Sequence, residues 1–296
     1  GQIRYFTLCA KRAIDVRYFR SKGLLPYNAK EKFYSTVTLI ESDSQDYAVI
    51  METLGKTRMA IRGSLENILL NVVENPVDYK NLRGTFPQDI INLDFTGNIV
   101  PGKDQPYSLT LRAIEHIISI QHESGAHEWH MFLTFQASKS SSNQEAIDEI
   151  KDLIERNLQN QSAMTAYGSK TKPSDMIQTC YHEFLRLGVA KFLAGSATKN
   201  GYAVVLGNCF FYERKPPTGN PYYIVKLIVG FQSFRSAGQI PNAAAENSVY
   251  QKAIPQIFQS SAIDVYSQLG PMIERDVVTK DLQPVLSELA QLKIID

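Results

Sequence analysis

The chain reads as an α/β protein with a mainly parallel sheet covered by helices on both faces, and three observations predict it. Short apolar strand patterns alternate with helical ones, strand then helix four times over, from Arg4 to Glu123, and such alternation builds parallel sheets. Phe86–Gly97 holds the run Ile90, Ile91, Leu93 behind the breakers Pro87 and Gln88, the mark of a strand buried on both faces. Near the end, Tyr202–Tyr212 and Tyr222–Phe231 flank the turn-rich Arg214–Pro221 and read as a β-hairpin that adds an antiparallel edge. Together these predict a mainly parallel sheet of seven strands with the seventh antiparallel.

Taken in order, Arg4–Ala10 is the first strand and Ala13–Leu25 the first helix, closed by Gly23 and Pro26. Thr36–Ile40 is the second strand and ends directly on Glu41; Ser42–Leu54 is a helix stopped by Gly55. Arg58–Arg62 is the third strand, Gly63-Ser64 the turn after it, and Ser64 the cap of a helix running to about Val73. The fourth strand runs to Leu93, and Gly97 is free to turn the chain. Ser108–Glu123 is a long helix, Trp129–Gln136 the fifth strand, Gln144–Leu158 an amphipathic helix, and Ser174–Ala194 another. Helical patterns at Ser248–Phe258 and Thr279–Leu292 follow the hairpin, so the expected division is a main domain over residues 1–236 and a helical extension over 237–296.

Composition narrows the partners. Hydrophobic content of 44%, charged content of 21% and a formal net charge of +1 over 296 residues describe an ordinary globular chain. Such a balance does not imply strong non-specific nucleic-acid binding, which leaves room only for a local basic patch. Cys9, Cys180 and Cys209 show no metal spacing and, being odd in number, cannot all pair internally; a reducing, cytoplasmic setting is the simplest expectation. No apolar run approaches the roughly 18 residues that span a bilayer, so no membrane is expected.

The chemistry gathers at strand ends. Asn92, Asp94 and Thr96 fall at the carboxyl end of the fourth strand, where open α/β sheets place their ligands. The plainer alternative makes Asp94 a cap or turn former. His127 and His130 stand three apart at the start of a strand, a spacing that suits a metal only on a helix, so no metal is expected. The tip of the hairpin mixes Arg214 and Lys215 with Tyr212, Tyr222 and Tyr223, a combination fit either for nucleic-acid contact or for a proline-stiffened surface turn.

This order of elements resembles the Rossmann-like S-adenosylmethionine-dependent methyltransferases, over roughly Arg4 to Phe234. The resemblance implies a three-layer fold, its seven strands ordered 3-2-1-4-5-7-6, and a cofactor site along Cys9, Ala10, Glu41, Gly63 and Ser64. Glu41 stands where the family holds the ribose hydroxyls, and Gly63-Ser64-Leu65 resembles the turn that brackets the adenine. Asn92-Leu93-Asp94-Phe95 resembles the family's fourth motif, closest to the form found in tRNA guanine dimethyltransferases, with Phe95 in place of a proline. It implies that Asn92 and Asp94 bond the amino group of a nucleic-acid base and that Phe95 stacks on its ring. One departure stands out: the turn Cys9-Ala10-Lys11-Arg12-Ala13 has no glycine where the family is glycine-rich. Either the small residues there suffice, or the site is degraded and the chain is an inactive methyltransferase-like binding protein. A third, weaker alternative is a nucleotide binder that uses Lys11-Arg12.

Overall fold

The computed structural model describes residues 2–9, 13–102, 108–139, 142–159, 164–165, 172–215, 221–234, 251–257, 259 and 262–264. The chain is α/β and divides into two compact units, Gly1–Asp94 with Asp264–Asp296, and Phe95–Ile263.

The first unit is built on strands β1 (Tyr5–Leu8), β2 (Tyr27–Asn28), β3 (Phe33–Glu41), β4 (Lys56–Arg62) and the beginning of β5 (Ile90–Asn98). β1 lies parallel to both β3 and β5, and β3 lies parallel to β4, so the order β4-β3-β1-β5 reproduces the 3-2-1-4 part of the expected sequence. The sheet is mixed, however. β2 pairs antiparallel with the start of β3, Tyr27 opposite Tyr34, a strand too short to stand out in the sequence.

Helix α1 (Ile14–Ser21) and helix α2 (Ser44–Leu54) follow β1 and β3. Asp43 caps α2, its Oδ1 accepting from the amides of Gln45 at 2.8 Å and Asp46 at 2.9 Å. Gly55 ends it at φ 81°, and a Cβ there would sit 2.5 Å from the Lys32 carbonyl oxygen, so only glycine fits. Helices α3 (Leu65–Leu70) and α4 (Pro76–Arg83) complete the unit. The core on one side of the sheet joins Tyr5, Val16, Tyr34, Val37, Leu39 and Ile50, each buried apolar side chain worth about 1.5–3 kcal/mol.

The second unit holds α5 (Leu109–Glu123), β6 (Glu128–Ala137), α6 (Gln144–Leu158), α7 (Pro173–Thr179), α8 (Tyr181–Lys199), β7 (Tyr202–Leu206), β8 (Cys209–Arg214), β9 (Tyr222–Ser233) and, at its end, β10 (Ala262–Asp264). Here β9 pairs antiparallel with β6 on one edge and with β7 and β8 on the other, which is the expected 5-7-6 order. Trp129 of β6 stacks on its cross-strand partner Phe231 with ring centroids 3.9 Å apart, and Tyr202 meets Trp129 edge-on.

Three expectations need correction. Tyr202–Tyr212 is two strands, because one extra residue lies between the pairs Leu206↔Val229 and Phe210↔Lys226, a bulge at Gly207-Asn208. The helix expected from Ser174 to Ala194 breaks at Cys180, whose φ of −150° lies outside the helical region. The fourth strand does not turn at Gly97 but runs on to Asn98. Among the described residues no helix is long and apolar enough to cross a membrane, and Cys9, Cys180 and Cys209 form no disulfide. Residues 237–250 and 265–296 of the expected extension lie outside the described residues; 251–257 are helical.

Candidate functional site

In a parallel sheet all strands end on the same side. The carboxyl ends of β1, β3 and β4 therefore lie on one side of the sheet in the first unit, the side toward which β5 also runs, and the direction in which the chain adds strands reverses beside β1, with β3 on one flank and β5 on the other. Reversal points of this kind are where such sheets bind ligands.

Cys9 closes β1, its amide donating to the Ile40 carbonyl at 3.2 Å, and it is only 1% exposed. Burial pushes its thiol well above the ordinary range, and the negative charges of Asp15 and Glu41 push the same way. Ala10, Lys11 and Arg12 lie outside the described residues. Ala13 enters α1 at φ 46°, a left-handed conformation that a glycine adopts without strain and an alanine does not.

Glu41 ends β3 half-exposed. Its Oε1 accepts from the Asp43 amide at 2.7 Å and the Ser42 hydroxyl at 3.4 Å, and its carbonyl accepts from the Gly63 amide at 2.9 Å. Glu41 and Gly63 are thus brought together as expected. Gly63 is not sterically obligatory, since an added Cβ would meet Ile68 only at 3.6 Å. Ser64 is the N-cap of α3, its Oγ accepting from the Asn67 amide at 3.2 Å.

Asn92, Asp94 and Phe95 lie within β5, not in a turn beyond it. The two-residue period of a strand puts Asn92 and Asp94 on one face and Phe95 on the other. Asp94 is exposed, whereas Asn92 sits in register with Thr7 of β1.

The residue that the sequence did not single out is Asp15, in the first turn of α1. Its Oδ2 accepts three hydrogen bonds, from the Tyr5 hydroxyl at 2.5 Å, the Thr7 hydroxyl at 2.9 Å and Asn92 Nδ2 at 3.1 Å. Burial raises the Tyr5 phenol well above its ordinary value, and the Asp15 charge and hydrogen bond add to this. The Asn92 amide has one orientation compatible with this cluster. A carboxylate only accepts, so Nδ2 must face Asp15, and Oδ1 is left buried without a donor. Such an orphaned acceptor costs about 1–3 kcal/mol.

Among the described residues no three His, Cys, Asp or Glu side chains gather so as to hold a metal ion. At the hairpin, Arg214 is exposed and Lys215 pairs with Glu213 at 3.3 Å; residues 216–220 of its tip lie outside the described residues.

A comparison with curated proteins finds no match. Residues 1–193, which carry the whole strand-end rim, match the PP_RS20740-like family. That match covers well over half of the 296 residues, and the chain belongs to the PP_RS20740-like family.

Proposed function

We propose that the chain is an S-adenosylmethionine-dependent methyltransferase acting on the amino group of a nucleic-acid base. The observation that carries the proposal is the buried, unpartnered Oδ1 of Asn92 in β5, opposite Thr7 of β1 and so beside the reversal point of the sheet. An amino group approaching there supplies the missing donor, and it needs only to be held in line with the methyl group for transfer. Glu41, at the end of β3, offers the carboxylate that a ribose diol would bond. The Asp15 and Glu41 charges, both felt by Cys9, suit a cationic sulfonium better than a phosphate. Asp94 would help hold the acceptor from the same face as Asn92. Phe95, on the opposite face of the strand, takes no part. Taken by itself, the exposed Arg214 of the second unit is a side chain suited to a nucleic-acid phosphate.

A second reading, a methyltransferase-like binding protein without activity, is favoured by one observation: Ala13 occupies a left-handed position at the turn where a glycine-rich loop would admit the cofactor.

Calorimetric titration with S-adenosylmethionine and with its demethylated product decides between them. Binding of both at micromolar concentrations is expected, with Glu41→Ala weakening it about tenfold. Asp94→Ala should instead leave affinity intact and lower methyl-label transfer to total nucleic acid. Absence of heat at high micromolar concentrations would overturn the methyltransferase reading.

A further inference from the structure

We infer that Asp15 is a positioning residue that locks the Asn92 amide with its oxygen toward the ligand, so that this position of β5, beside β1, selects N–H donors and rejects carbonyl acceptors. The inference rests on the proposed function for the nature of the ligand, an exocyclic amino group, but its geometry is independent of the cofactor. Two groups hold the amide nitrogen: Asp15 Oδ2 at 3.1 Å and the Thr7 hydroxyl at 3.4 Å. Tyr5 and Thr7 also donate to that same carboxylate oxygen, which fixes the carboxylate itself from β1. Turning the amide over would set its oxygen against the carboxylate, acceptor against acceptor, and orphan two N–H donors on the other side. The lock thus joins three elements, α1, β1 and β5, and leaves a single unsatisfied function, an acceptor. A ligand that presents a carbonyl to that oxygen gains no bond and buries a second acceptor, whereas an amino group satisfies both partners.

The test compares adenosine with inosine, which differ by an amino group against a carbonyl on the same ring, as ligands of the full chain. Wild-type protein should bind adenosine about tenfold more tightly than inosine. In Asp15→Asn the new carboxamide offers an N–H as well as an oxygen, so Asn92 can turn over. The preference should then fall below about threefold, with the far-ultraviolet spectrum unchanged. An unchanged preference in folded Asp15→Asn would overturn the positioning role, and equal binding of the two nucleosides by wild type would overturn the selection itself.

Should Asp15→Asn not fold, the wild-type protein carries the test in its nuclear resonance spectrum. Adenosine should shift the Asn92 side-chain carbonyl carbon and leave its Nδ2 protons in place; the converse pattern would overturn the lock. A failure of S-adenosylmethionine to bind, alongside a nucleoside preference that Asp15→Asn abolishes, would sink the proposed function and leave this inference standing.

Discussion

The two units each bury a charged cluster, and they complete it differently. In the second unit Arg186, wholly inaccessible to solvent, bonds Glu183 Oε2 at 2.6 Å, three residues away on the same helix. The buried Cys209 thiol nearby is pushed up by desolvation, and the Arg186 charge and hydrogen bond only partly offset that. Charge meets countercharge within one helical turn, so the cluster serves packing. In the first unit Asp15 bonds no cation among the described residues; it gathers neutral donors from two strands and leaves the Asn92 oxygen over. A closed cluster stabilises its own unit, whereas an incomplete one at a strand end is poised to receive something.

Three changes probe that contrast. Arg186→Ala should have the largest effect, about 3–5 kcal/mol lost in urea unfolding, because it empties a fully buried site and leaves the part-buried Glu183 carboxylate without its cation. A loss below 1 kcal/mol would mean that the pair is not closed in solution. Asn92→Asp sets a second carboxylate against Asp15 and should cost about 1–3 kcal/mol at pH 8. The new carboxyl, its folded pKa raised, is bound by a proton as pH falls, so the deficit should shrink at pH 5. A melting-temperature deficit that is the same at both pH values would show that residues 15 and 92 do not share the site. The smallest effect belongs to Arg4–Asp89, a pair at 2.8 Å with both side chains more than a third exposed. Partial burial pushes the Asp89 carboxyl up, but the Arg4 hydrogen bonds and charge outweigh it and hold the carboxyl below its usual range. Its stabilisation is therefore present above the unfolded pKa and lost as pH falls through the folded one. Against Asp89→Asn, the wild-type advantage should be at most about 0.5 kcal/mol near pH 6 and vanish by about pH 2; an advantage that grows on acidification would contradict the assignment.

How much of this was legible depends on how local the signal is. Glu41 at the end of β3 and Ser64 as the cap of α3 are written in a few adjacent residues, and the structure keeps both. The helix at Pro76–Arg83 went unread although Asn75-Pro76 is an ordinary opening for one. Gly97 misled in one direction and Gly207 in the other. A glycine is permitted in a strand as well as in a turn, and only pairing decides which. Asp15 could not be read at all. Its partner Asn92 is 77 residues away, and no spacing rule connects a helical first turn to a position within a distant strand. The division of faces at Phe95 escaped for a related reason, since a motif read as a turn carries no alternation until the strand is seen to continue through it.

The bulge at Gly207-Asn208 gives the hairpin a reading frame. Before it, Tyr202 and Val204 turn toward the buried side; after it, the buried side belongs to Cys209 and Phe211, whose ring lies stacked 4.3 Å from His182 of α8. If the same residues paired without the bulge, that side would fall to Phe210 and Tyr212, and Phe211 would leave His182. Deleting one residue at Gly207-Asn208 instead removes the bulge and leaves every side chain of β8 on its present face. A lone gap there should therefore be tolerated among relatives, whereas a second lost residue has no bulge left to absorb it and inverts the whole of β8.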